Sequence, residues 1–80
     1  MAEKHNQLGQ RIRMERRCAG LTQQPLGERI GLTRCPAQRI GQWESGYRLP
    51  DPKRLVQIEQ ALDLTEGTLT AMREAADLKQ

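Results

Sequence analysis

The sequence predicts an all-α chain of five short helices. Ala, Leu, Ile, Arg, Gln and Glu dominate its 80 residues, and most of these are good helix formers. Aromatics are reduced to Trp43 and Tyr47, Phe is absent, and the residues that favour strands are scarce. Apolar side chains recur at three- and four-residue spacing between Gly and Pro breaks.

Helix one is expected to start near Asn6, a good N-cap, and to run to about Cys18. Leu8, Ile12 and Ala19 fall on one of its faces, and Gly20 is a natural stop. Helix two opens at Thr22, carries Leu26 and Ile30, and ends at Gly31; Pro25 falls in its first turn, where no intrahelical N–H is lost. Leu32-Thr33-Arg34-Cys35 reads as the connection to a third helix that begins at Pro36, turns Ile40 and Trp43 inward, and ends before Gly46. Leu49-Pro50-Asp51-Pro52 then breaks the chain. Asp51 caps helix four, whose apolar positions are Leu55, Val56, Ile58 and Leu62. After the link Asp63-Leu64, Thr65 is the expected N-cap of a fifth helix holding Leu69 and Met72. Gly67 weakens that helix by about 0.5–1 kcal/mol relative to Ala, which predicts a short helix or fraying after Ala76.

Charge is unevenly spread. Residues 1–50 hold nine Lys or Arg against four acids, whereas residues 51–80 hold four against six. Eight of those nine are Arg, the side chain that forks onto phosphates and guanine edges, so a polyanionic partner is indicated. A solvated basic face without function gives the same pattern. Cys18 and Cys35 match no metal-ligand or disulfide spacing and His5 is alone, so two free thiols in a reducing cytoplasm are expected, with no metal and no cofactor. No catalytic constellation and no Gly-rich phosphate loop is present, and an enzyme is not expected. No apolar run is long enough for a signal peptide or membrane span.

The specific signal lies in residues 20–50, where two helices flank a tight turn and a polar, Gly-containing segment follows. Leu8-Gly9-Gln10-Arg11-Ile12-Arg13 with Arg16, then Gly20-Leu21-Thr22-Gln23 and Leu26-Gly27, resembles the opening of Cro/phage-repressor-type helix-turn-helix domains. The likeness continues through Ile30-Gly31-Leu32-Thr33, Gln38-Arg39-Ile40, Trp43-Glu44-Ser45-Gly46 and Pro50 to Leu55, Ile58, Leu62 and Leu69. It implies a compact five-helix, lambda-repressor-like DNA-binding fold. One domain is then expected over residues 1–80, with its core over about 6–76 and the helix-turn-helix over about 22–45.

The resemblance also implies roles. Gln23 matches a residue that binds a phosphate and braces the recognition helix. Ala37, Gln38 and Gln42 match positions facing the major groove, with Arg39 beside them and Arg34 in the preceding turn; Gln can bridge adenine and Arg can fork onto guanine. Ser45, Tyr47 and Arg48 match a segment that contacts phosphates, and Arg16 with Glu44 matches an internal salt bridge.

The chain departs from the family pattern in three ways. The stretch from Gly31 to Glu44 is about three residues longer than the common spacing, which enlarges the turn at 32–35. Glu15 and Glu59 stand where small or apolar residues are usual, and Met14 or Cys18 is expected to compensate on helix one. Gly41 in the recognition helix either admits a close approach of DNA or has no consequence.

Trp43 is read as a core anchor, and Arg11, Arg13 and Arg17 as a solvated face. Leu69, Met72, Ala75 and Ala76 are core or a dimer seam. The expected function is a sequence-specific DNA-binding transcriptional regulator, a repressor by preference. It would bind double-stranded DNA as a homodimer, in the cytoplasm on the nucleoid and away from membranes. Antitoxin, restriction–modification controller and a protein-interaction module without DNA binding stay open, as does a toxin or other protein partner. A fragment of a larger regulator is disfavoured by Met1 and the polar end at Gln80.

Overall fold

Five helices follow in order: α1 Glu3–Cys18, α2 Gln23–Arg29, α3 Pro36–Ser45, α4 Pro52–Ala61 and α5 Thr68–Leu78. The computed structural model describes the backbone of residues 3–78 and the side chains of residues 7–75, and no strand occurs among the described residues. The fold is all-α with five helices, as the lambda-repressor-like expectation requires. Its core is almost wholly aliphatic. Leu8, Ile12, Leu26, Ile30, Leu32, Ile40, Leu55, Ile58, Leu62 and Leu69 surround Trp43, and Leu21, Leu49, Leu64 and Met72 pack against them. Ala75 is exposed, and the side chain of Ala76 lies outside the described residues.

The helix ends follow from local chemistry. α1, α2 and α4 all stop through the same pair of backbone bonds. The amides of Gly20, Gly31 and Asp63 bond three residues back, and those of Leu21, Leu32 and Leu64 bond five residues back, to Arg16, Gly27 and Glu59. This satisfies carbonyls that the helix leaves over and folds a Leu back onto the core. The turn needs a left-handed residue, which Gly31 supplies at φ 86° without a Cβ clash. Asp63 adopts the same region at φ 58°, as a short polar side chain can. At the start of α4, the Asp51 carboxylate accepts from the Arg54 amide at 2.9 Å, ahead of Pro52.

Four expectations are corrected. α1 begins at Glu3, so Asn6 lies inside it rather than capping it; Glu3 and Lys4 are themselves helix formers and nothing breaks the chain there. The inward stripe of α1 is Leu8, Ile12 and Arg16, whereas Ala19 lies past the helix end and is exposed. Met14, 51% exposed, and Cys18, also exposed, do not compensate for Glu15, whose carboxylate instead accepts from Arg11 Nε at 2.7 Å on the helix surface. Finally, α5 starts at Thr68 and not after Thr65, so Gly67, at φ 92°, precedes it and removes no helical propensity; the helix runs past Ala76 to Leu78.

What starts α5 is Glu59, on α4. Its side chain is buried, and its carboxylate accepts from the amides of Gly67, Leu69 and Thr70 at 3.1, 2.7 and 3.3 Å. A buried carboxylate is tolerated because backbone donors and the positive end of the helix replace its water. Glu59 thus does from a distance what a local N-cap does elsewhere.

Candidate nucleic-acid interface

α2 and α3 pack at backbone distance. A Cβ on Gly27 would lie 2.5 Å from Pro36 Cβ, so only glycine lets the first turn of α3 sit there. α1 approaches α3 as closely: a Cβ on Gly9 would meet the carbonyl oxygens of Glu44 and Trp43 at 2.3 and 2.5 Å. Between α2 and α3 the chain runs through Leu32, buried in the core, and then exposed Thr33, Arg34 and Cys35. Cys35 adopts the left-handed conformation immediately before Pro36, which swings the chain into α3.

α3 is fixed in orientation by a buried polar junction. Arg16 donates from Nε and Nη2 to the two carboxylate oxygens of Glu44 at 2.6 and 3.1 Å, and from Nη1 to the Leu21 carbonyl at 2.8 Å. Gln23 adds Nε2 to Glu44 Oε1 at 3.1 Å. One carboxylate therefore ties α1, α2 and α3 together. A two-pronged guanidinium–carboxylate contact fixes rotation as well as distance.

With Ile40, Trp43 and Glu44 turned inward, the opposite face of α3 is settled by the helical period. Gln38, Gln42 and Ser45 form one outward stripe; Gln38 and Ser45 are exposed and Gln42 is half-buried. The Gln23 side chain lies against Gly41 on one flank, 3.4 Å from where a Cβ would stand, so Gly41 makes room for Gln23. On the other flank Arg39 Cζ lies 5.8 Å from the Trp43 ring centroid. Ala37 is half-buried beside the start of the helix.

After α3, Ser45 Oγ donates to the Gln42 carbonyl at 3.2 Å and accepts from the Tyr47 amide at 3.4 Å, shaping the turn. Tyr47 is 74% exposed, and Arg48 lies over its ring at 5.9 Å. Arg34, Gln38, Arg39, Tyr47 and Arg48 are exposed, whereas Arg16 and Glu44 are buried and Gln23 is half-buried. Arg54 was not singled out from the sequence. It donates to the Ile30 carbonyl at 3.0 Å and Gln57 at 2.9 Å, joining α4 to the end of α2. Its position three residues after the cap Asp51 was the available signal.

Electrostatics follow from the same arrangement. Between Arg29 and Pro50 the chain carries four Arg and a single acid, Glu44. That acid is buried against Arg16, so the outer surface of this segment carries arginine without carboxylate.

A helix-turn-helix family model matches residues 12–69, most of the chain. The chain belongs to the Cro/C1-type helix-turn-helix family. No curated protein and no solved structure matches it. This helix-turn-helix family is one of DNA-binding transcription regulators and is generally non-enzymatic. Among the described residues no group of side chains is placed to hold a metal ion, and no helix is long and apolar enough to cross a membrane.

Proposed function

We propose that the chain is a sequence-specific transcriptional repressor that reads the major groove with α3. The observation that carries this reading is the outer face of residues 34–48, where Gln38 and Gln42 stand with Arg34, Arg39 and Arg48 and no exposed carboxylate among them. Gln38 and Gln42, one helical turn apart on a helix locked by the Arg16–Glu44 pair, offer amides that can bridge adenine edges. Ala37 leaves room beside them for a thymine methyl. Arg34 and Arg48, with Ser45 and Tyr47, lie where the sugar–phosphate strands flank the groove, and Gln23 braces α3 from beneath while its helix end approaches a phosphate.

Two copies are needed to read a symmetric site. Half-sites lie about 34 Å apart, and the chain is 31 Å in its longest direction with one reading helix. We therefore assign a homodimer, with one helix-turn-helix domain per chain acting on DNA in the cytoplasm.

Selection from random duplexes, followed by sequencing, tests the reading. The wild type should enrich a two-fold symmetric motif, and Gln38→Ala/Gln42→Ala should relax it, since a good bidentate pair is worth about 1–3 kcal/mol of discrimination. Equal, motif-free binding by both proteins would overturn the assignment in favour of a protein partner.

A further inference from the structure

We infer that Arg39, although adjacent to Gln38 on the recognition helix, is a phosphate-gripping residue and does not read a base; with Arg48 it forms a clamp for the DNA backbone. The inference rests on the DNA-binding reading above and divides its arginines between two tasks.

Three observations carry it. Successive helical residues are rotated by about 100°, so Arg39 leaves the stripe of Gln38, Gln42 and Ser45 by roughly a quarter turn. It faces the α4 side of α3, opposite the flank that Gln23 occupies against Gly41. Second, its guanidinium lies over Trp43, four residues on and toward the C-terminal end of α3. This holds the guanidinium against the inward-turned Trp43 and off the outward stripe of Gln38, Gln42 and Ser45. A planar guanidinium keeps its in-plane donors while stacked, which suits it to an oxyanion beside the ring.

Third, Arg39 shares a cleft with Arg48, Arg54, Trp43 and Asp51. Three guanidiniums face one carboxylate there. Asp51 Oδ1 accepts from the Arg54 amide as the cap of α4, and Arg54 reaches back to Ile30 and Gln57. Arg39 and Arg48 are the exposed cations of the cleft. An open cleft lined by two such cations fits a phosphodiester, a single negative charge with acceptor oxygens on both sides.

The test compares wild type, Arg39→Ala, Arg39→Lys, Arg48→Ala and Gln42→Ala by motif selection and by salt titration on the selected duplex. One phosphate contact contributes about 0.9 to the slope of log K against log salt. Arg39→Ala and Arg48→Ala should each keep the wild-type motif and flatten the slope by about twice that amount, one contact from each protomer of the dimer, an effect of about 12-fold across a fourfold change in salt. Arg39→Lys should keep both motif and slope, because a point charge serves a phosphate but does not replace a fork onto guanine. Gln42→Ala should relax the motif at unchanged slope. Loss of preference at a G·C pair in both Arg39 variants would overturn the clamp and make Arg39 a base reader. An unchanged slope in Arg39→Ala would overturn it as well. A wild type that selects no motif would instead overturn the DNA-reading assignment itself, which separates the two failures.

Discussion

Replacing Arg16 by Met tests whether one buried ion pair holds α3 in place. Met fills much of the space of the arginine stem, so the change removes charge and hydrogen bonds with little cavity. Two contacts to Glu44 and one to the Leu21 carbonyl are lost. The side chains of the pair are 9% and 4% exposed, so water does not readily replace the guanidinium. Gln23 stays within reach of the carboxylate, but it brings no charge. Removing one partner of a buried pair typically costs about 3–5 kcal/mol. The whole chain, at its length, is expected to be stable by only about 4–12 kcal/mol. For a domain of this size a 3 kcal/mol loss lowers Tm by roughly 12–24 °C. Thermal and urea unfolding followed by Trp43 emission would measure it. The double variant Arg16→Met/Glu44→Leu should recover most of the loss, because an apolar pair of similar volume replaces an ionic one at little cost. A loss below about 1 kcal/mol for Arg16→Met would refute the buried-pair reasoning and class the contact with surface bridges. So would a double variant whose loss equals the sum of the two single changes.

Gly9→Ala should destabilise although Ala is the better helix former by about 1 kcal/mol, because its Cβ would enter the backbone of α3; overpacking of this kind costs about 1–3 kcal/mol or more, and a chemical-denaturation midpoint at or above wild type would contradict the close approach. Glu59→Gln should cost about 1–3 kcal/mol and lower hydrogen-exchange protection at Leu69 and Thr70, since a carboxamide offers one acceptor oxygen where three amides now converge on two; unchanged protection would show that α5 starts without it. Asp51→Ala should cost about 1 kcal/mol, read by the same unfolding curves, with DNA selectivity untouched because the cap lies on α4; a relaxed motif would show that α4 helps to set the reading surface.

The sequence was most legible where punctuation is local. Gly31, Pro36, Gly46 and Asp51-Pro52 each act within a turn of themselves and set the end of α2, both ends of α3 and the start of α4, while Thr22 precedes α2 without a side-chain cap bond. The two outer helices were less so, for different reasons. Nothing between Glu3 and Asn6 forbids a helix, so a good capping residue was absorbed into α1 once helix formers preceded it. The start of α5 is set by Glu59, ten residues before Leu69, and no window centred on Thr65 contains that information. Asp63 hid a helix stop for a related reason: it performs, without being glycine, the turn that Gly20 and Gly31 announce.

At the interface the same distinction separates residue type from residue environment. Chemistry in the sequence marks Gln38, Arg39 and Gln42 alike as suited to base edges. Only packing shows that Trp43 and the segment following α3 give Arg39 different company from its neighbours. Glu44 makes the converse point. As a residue type it is unwelcome on a DNA-facing helix. Buried against Arg16 and reached by Gln23, it becomes the joint that orients that helix, while its charge is withdrawn from the surface. Folding and function are therefore coupled through one carboxylate. A change that frees Glu44 toward solvent weakens the hold of α1 on α3, and it also adds a negative charge where a polyanion would approach. Loss of DNA affinity on disrupting this pair should accordingly exceed what the loss of folded protein accounts for.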